Sequence, residues 1–195
     1  MSKVTIFNSA CGIIGGNNKG LILSDNEEGS IADHCREFYE EAVDISVIWL
    51  RPYKYIAYKS IAYTSNTVAK SDWSYAYAYP SNVLELIKYT DENSRIAEYD
   101  YDIIDDGDGN KYIVSDQSDC YLHYIKKPNY DDTTTMGAML RRLIAANLAV
   151  LIAPFVKPKM LQVAEAQLEK WETRTADMNA SHIYVEEIES SADIQ

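Results

Sequence analysis

The stretch from Thr133 to Phe155, TTTMGAMLRRLIAANLAVLIAPF, constrains the chain more than any other segment. Its large apolar residues, Met136, Leu140, Leu143, Ile144, Leu148, Leu151 and Ile152, recur mostly at the spacing of one helix face. Ala145, Ala146, Ala149 and Ala153 fill much of the remainder, so a neighbouring helix can approach closely. The threonines offer N-capping hydroxyls, and a proline disfavours helical backbone in the residue before it. A helix is therefore expected over about 134–153, stopped by Pro154. About twenty residues at ~1.5 Å each give a rod of roughly 30 Å, which is also the thickness of a bilayer core. A membrane span wants ~18 or more apolar residues in succession. Here Arg141-Arg142 leave only Leu143 to Phe155, interrupted by Asn147. The expectation is a buried core helix and no membrane.

A helix apolar on most sides needs apolar partners, and the chain supplies them. Ile31, Cys35, Phe38, Ala42, Ile45 and Trp49 step by three or four along a helix expected over 31–50. Ser30 opens it, Asp33 gives a capping-box signal, Glu37, Glu40, Glu41 and Asp44 take the opposite face, and Pro52 ends it. A shorter helix over 4–14 carries Val4, Ile6, Ala10, Cys11, Ile13 and Ile14 and stops at Gly15-Gly16. Leu21-Ile22-Leu23 then reads as a buried anchor. Lys157-Pro158 starts a further helix, expected over 158–177, with Leu161, Ala164, Leu168 and Trp171 as its stripe. From about Asn179 the pattern fades into Glu186, Glu187, Glu189 and Asp193, so 179–195 reads as an acidic arm. Only Ile183, Tyr184, Val185 and Ile188 offer it apolar anchors.

Between Tyr53 and Tyr130 the period changes from 3.6 to two. Trp73, Tyr75, Tyr77 and Tyr79 alternate with Ser74, Ala76 and Ala78, and Val83 to Tyr89 continues as a strand. Tyr99, Tyr101 and Ile103 lead through DDGDGN to Tyr112-Ile113-Val114, a hairpin, and Tyr121 to Ile125 makes a last strand. The expected fold is α+β: a bundle of three to four helices with an inserted small antiparallel sheet over about 53–130. Residues 1–178 would form one domain, followed by the C-terminal arm.

Catalytic and metal signatures are weak. Counting from Asp106, a calcium loop would need glycine at position six and glutamate at position twelve, where Lys111 and Gln117 stand. A glycine-rich hairpin turn explains the segment. Cys120 and His123 lack a second ligand pair for zinc and alternate faces on a strand. Gly12, Gly15, Gly16 and Gly20 lack the Gly-Lys-Ser/Thr ending of a phosphate loop. No cofactor is implied. Cys11, Cys35 and Cys120 are odd in number and far apart, consistent with reduced core residues. Residues 1–30 lack a signal-peptide pattern, so synthesis in the cytoplasm is expected. Thirty acidic against eighteen basic residues, a net charge of −12, disfavour a protein that reads DNA sequence. Sixteen tyrosines are unusual and suit strands and interfaces. An acidic, catalytically silent, tyrosine-rich chain reads as an assembly subunit. The reading from another class is a cell-wall (peptidoglycan) hydrolase, which needs a pair of carboxylates in a cleft.

Four blocks, in order, resemble the head–tail adaptor family of short-tailed bacteriophages, the tail tubular protein A or gatekeeper-type connectors. They are IFNSACGIIGG with GLILSDNEEGSIADHCREFYEEAVDISVIW, then WSYAYAYPSNVLELIKY, then KYIVSDQSDCYLHYIKKP, and finally the Thr133 helix with its LIAPF ending. The second is the most specific, similar to the family's alanine-spaced aromatic strand running into Tyr-Pro. One departure is Trp49 followed by Leu50-Arg51-Pro52 where the family continues Trp-x-Phe-Ala; the nearest equivalent is Tyr55-Ile56-Ala57. The resemblance spans about residues 5–180 and implies a structural virion protein of the phage neck, not an enzyme. It implies a twelve-fold homo-oligomeric ring below the portal protein, passing double-stranded DNA non-specifically through its lumen and presenting a platform to the tail nozzle protein. Carried over, Trp171, Ile183, Tyr184 and Ile188 would dock the arm on the portal. Trp73, Tyr75, Tyr77, Tyr79, Arg141 and Arg142 would serve subunit or nozzle contacts.

Overall fold

The computed structural model describes residues 2–15, 21–62, 73–90, 99–118 and 120–192, with side chains through residue 176. Among them the element order is α1 (Lys3–Ile13), α2 (Ser30–Leu50), β1 (Ile56–Ser60), β2 (Tyr75–Ala78), β3 (Val83–Thr90), β4 (Asp102–Asp105), β5 (Lys111–Ser115), β6 (Tyr121–Lys126), α3 (Ala138–Val156) and α4 (Leu161–Ala192). This is an α+β fold with a helical part and small antiparallel sheets. The chain divides into two compact units, residues 1–50 with 129–195, and residues 51–128.

In the helical unit α1, α2 and α4 all pack on α3. Its buried residues, Leu140, Leu143, Ile144, Ala145, Ala146, Asn147, Leu148, Ala149, Ile152 and Ala153, surround the helix, because partners lie on several sides. By length and composition α3 is apolar enough to cross a membrane, with a mean hydropathy of 1.7, and 56% of that window is buried in the protein. Both expected ends move. The helix starts at Ala138 behind Gly137, because the threonines are spent elsewhere. Asp132 Oδ1 accepts from Thr134 N (3.0 Å), Thr134 Oγ1 (2.5 Å) and Thr135 N (3.4 Å), a local turn that competes with helix. At the other end the helix runs through Pro154 to Val156, and Lys157 N still donates to Ala153 O at 2.9 Å. A proline in the last turn forfeits one hydrogen bond, and the burial of Ile152 and Ala153 holds the preceding backbone helical.

The seam expected on α2 is rotated. Its buried residues are Ala32, Cys35, Tyr39, Ala42, Val43, Ser46 and Val47, whereas Ile45 and Trp49 are 39% and 37% exposed. Small side chains let the backbones of α2 and α3 approach, and a buried polar contact fixes their register: Asn147 Nδ2 donates to Ser46 Oγ at 2.9 Å. Asp33 does not close a capping box; its carboxylate pairs with Arg36, and Arg36 also donates to the carbonyls of Asp25 and Glu27. The apolar anchor before α2 shrinks to one residue. Ile22 is buried while Leu21 and Leu23 are exposed. Asn8 on α1 clamps the Ile22 backbone through both its amide donor (2.8 Å) and its acceptor (2.9 Å). On α4 the expected stripe is in place, with Ala164 and Thr175 fully buried and Leu161, Leu168 and Trp171 half-buried. The helix then continues as backbone to Ala192, so no helix end marks the boundary expected near residue 179.

Among the described residues, the unit of residues 51–128 holds two sheets rather than one, with strand orders β1-β6-β3 and β2-β5-β4, all antiparallel. Both contribute to one core of Tyr77, Val83, Tyr89, Ile113, Cys120, Leu122 and Tyr124. Two register irregularities in β3, between Val83 and Glu85 and between Leu86 and Lys88, bend it along β6. The β4–β5 hairpin turns at Asp106–Asn110 with Gly107 and Gly109 at φ +87° and +89°, values that glycine adopts freely.

Candidate interaction surface

The helical unit carries a groove of about 330 Å³ whose lining follows helical spacing on three elements. Helix α1 contributes Thr5, Ile6, Ser9 and Ile13; α3 contributes Ala138, Arg141, Arg142 and Ala145; α4 contributes Gln167 and Trp171. The floor is apolar because those α1 and α3 residues flank the packed seams, while the rim is hydroxyl, amide and guanidinium. Arg142 lies over the Trp171 ring at 5.0 Å and Arg174 at 5.1 Å, so one indole holds two cations in place. Arg141 is turned inward, its Nη1 donating to the Met136 carbonyl at 2.5 Å. Among the described residues no carboxylate pairs with Arg142 or Arg174.

Three residues singled out from sequence, Arg141, Arg142 and Trp171, thus meet in one groove. Arg174 was missed, although its place three residues after Trp171 puts it on the same helix face. Ile183, Tyr184 and Ile188 lie on α4, but their side chains fall outside the described residues. In the strand unit the four aromatic candidates separate. Tyr77 is fully buried, its hydroxyl donating to Gln117 O at 2.6 Å, so it is a core residue and cannot touch a partner. Alternation places Tyr75 and Tyr79 on the same face, and both pack half-buried against that core. Trp73 is half-buried and lines a small cavity with Asp100 and Asp116. That carboxylate pair is partly committed to structure, since Asp116 Oδ1 accepts from Ser74 N (3.0 Å) and Ser74 Oγ (2.8 Å).

The acidic hairpin turn is satisfied by its own chain. Asp106 accepts from Asp108 N, Asn110 N, Asn110 Nδ2 and Tyr112 OH, and these bonds, the Asn110 amide foremost, hold its carboxyl below the usual range. Among the described residues no group of three or more His, Cys, Asp or Glu is placed to hold a metal. Cys120 is not an activated nucleophile: burial pushes its thiol up to about 12. His123 stacks on Tyr58 at 4.2 Å between rings, and neither ring nitrogen has a hydrogen-bond partner among the described residues. Burial, then the charges of Lys88 and Arg51, lower its pKa. Cys11 and Cys35 are buried free thiols with sulfurs 4.0 Å apart. Their hydrogen bond, and then burial, push the Cys35 thiol up, so it stays protonated.

No protein-family model matches the chain, and no curated protein matches it either.

Proposed function

We propose that the chain is a head–tail adaptor subunit, assembling as a ring below a phage portal, extending the DNA channel and seating the tail nozzle. The observation that carries this is α4. Its 32 residues follow an α3 of 19, so at ~1.5 Å per residue it is about 48 Å long against about 29 Å. A helix that outruns its packing partner by about 20 Å has a segment the bundle does not need. That segment carries Ile183, Tyr184 and Ile188 among acidic residues, a composition suited to docking on another subunit. The four family-like sequence blocks support the same reading, as does the net charge of −12, since an acidic wall lets DNA pass without sticking. Deleting residues 179–195 tests it. Attachment to portal rings, measured by co-sedimentation, is expected to be lost while the two units remain folded. Unchanged attachment would remove the docking role of α4.

A further inference from the structure

Two features of the helical unit lack a partner among the described residues, and they are complementary. One is the groove, an apolar floor of Ile6, Ile13 and Ala145 beneath Arg142 and Arg174, both without a carboxylate among the described residues. In a chain with thirty acidic and eighteen basic residues, two adjacent arginines fixed over one indole with no ion pair among the described residues stand out. The other is the outer edge of α2, where Glu37, Glu41, Ile45 and Trp49 are all exposed at four-residue intervals. Glu37 is engaged locally with His34 at 3.3 Å, while Glu41 has no hydrogen-bond or ion-pair partner among the described residues. The stripe runs from acidic to apolar; the groove offers guanidinium groups beside an apolar floor.

We propose that the α1/α3/α4 groove of one copy receives the Glu37–Trp49 edge of α2 from a second copy. Arg142 and Arg174 meet Glu41, and the floor covers Ile45 and Trp49. This rests on the ring reading above and deepens it by naming the seam between subunits. The net charge of −12 favours a protein carboxylate over a nucleic-acid phosphate as occupant, because a polyanion is repelled by the whole molecule before it reaches the groove. Groove and stripe are different surfaces, so the contact is head-to-tail and propagates until a ring closes. It also gives the exposed Trp49 and Ile45 a place to be buried, which packing inside one copy does not.

Sedimentation equilibrium of the full chain, with Arg142→Glu and Glu41→Arg variants, tests it. Both positions are exposed, and unchanged circular-dichroism melts would confirm that both variants fold. The wild type is expected to associate with increasing concentration, and each variant to associate about tenfold or more weakly. Mixed together, the variants should recover association, growing in alternation, while each alone stays weak. At one seam Glu41 of one copy meets Arg142 of the other, and at the next the two substituted side chains face each other with their charges exchanged. If both variants associate as the wild type does, or the mixture fails to pair, the seam lies elsewhere and the ring reading stands without it. A wild type that stays monomeric at every concentration overturns the inference, and microscopy on portal rings then decides the ring reading separately. Retention of a short DNA duplex that Arg142→Glu abolishes, without self-association, would assign the groove to phosphates and likewise overturn it.

Discussion

The contact between Ser46 and Asn147 sets the register of α2 on α3, and its removal has a calculable cost. Ser46 is fully buried and Asn147 is 5% exposed. Asn147 Nδ2 donates to Ser46 Oγ at 2.9 Å and to the Leu143 carbonyl at 3.3 Å, while Ser46 Oγ donates to the Ala42 carbonyl at 2.6 Å. In Ser46→Ala the amide keeps only its longer bond. Stranding a buried donor costs about 1–3 kcal/mol, offset by about 0.5 kcal/mol of better helix propensity, so a net loss of about 1–2 kcal/mol is expected. In Asn147→Ala the serine keeps its bond to Ala42, and the loss comes from the missing contact and a small cavity. The double variant should lose less than the sum of the two, by about 0.5–1.5 kcal/mol. Urea unfolding followed by tryptophan fluorescence reads this cleanly in a Trp73→Phe background, because Trp49 and Trp171 then report the helical unit alone. Additive losses would refute the claim that this hydrogen bond couples the two helices.

Three further perturbations follow from the strand unit. A histidine held below its ordinary pKa contributes stability that is present above about pH 6.5 and lost as pH falls further. His123→Phe keeps a ring on Tyr58, so it should flatten this acid-side loss in pH-dependent unfolding; an unchanged slope would contradict the burial of the imidazole. The raised Cys120 thiol contributes stability that is full below about pH 8.5 and declines as pH rises toward about 12, so Cys120→Ala should show a weaker alkaline loss in thermal melts. Tyr77→Phe removes a buried hydroxyl bond to Gln117 and should cost about 1–2 kcal/mol in urea unfolding. It should leave assembly untouched, since Tyr77 has no exposed surface.

How much of this was legible in the sequence depends on which forces decide each feature. The four helices were, because apolar spacing at 3.6 residues is a local signal. Their faces and ends were less so. On α2 the choice between the Ile45/Trp49 edge and the Tyr39/Ser46 edge is made by how closely α3 approaches, which depends on Asn147 a hundred residues away. At the start of α3 the decision belongs to Asp132, whose carboxylate outcompetes the helix for Thr134 and Thr135. Alternation revealed strands between Tyr53 and Tyr130 but not their division into two sheets, because a period of two says which faces are covered and not which strands are neighbours. The same ambiguity offered Tyr77 as an interface residue when its hydroxyl has a partner inside. Arg142 and Trp171 could be picked out singly, but their meeting requires the chain reversal at Pro158–Met160 that lays α4 against α3.

Electron microscopy of phage portal rings, with and without this chain, tests the proposed function most directly. Added density with the rotational symmetry of the portal, continuing its channel and touching it through the far end of α4, is the predicted result. Portal rings that remain unchanged, with the chain left free in solution, would contradict it.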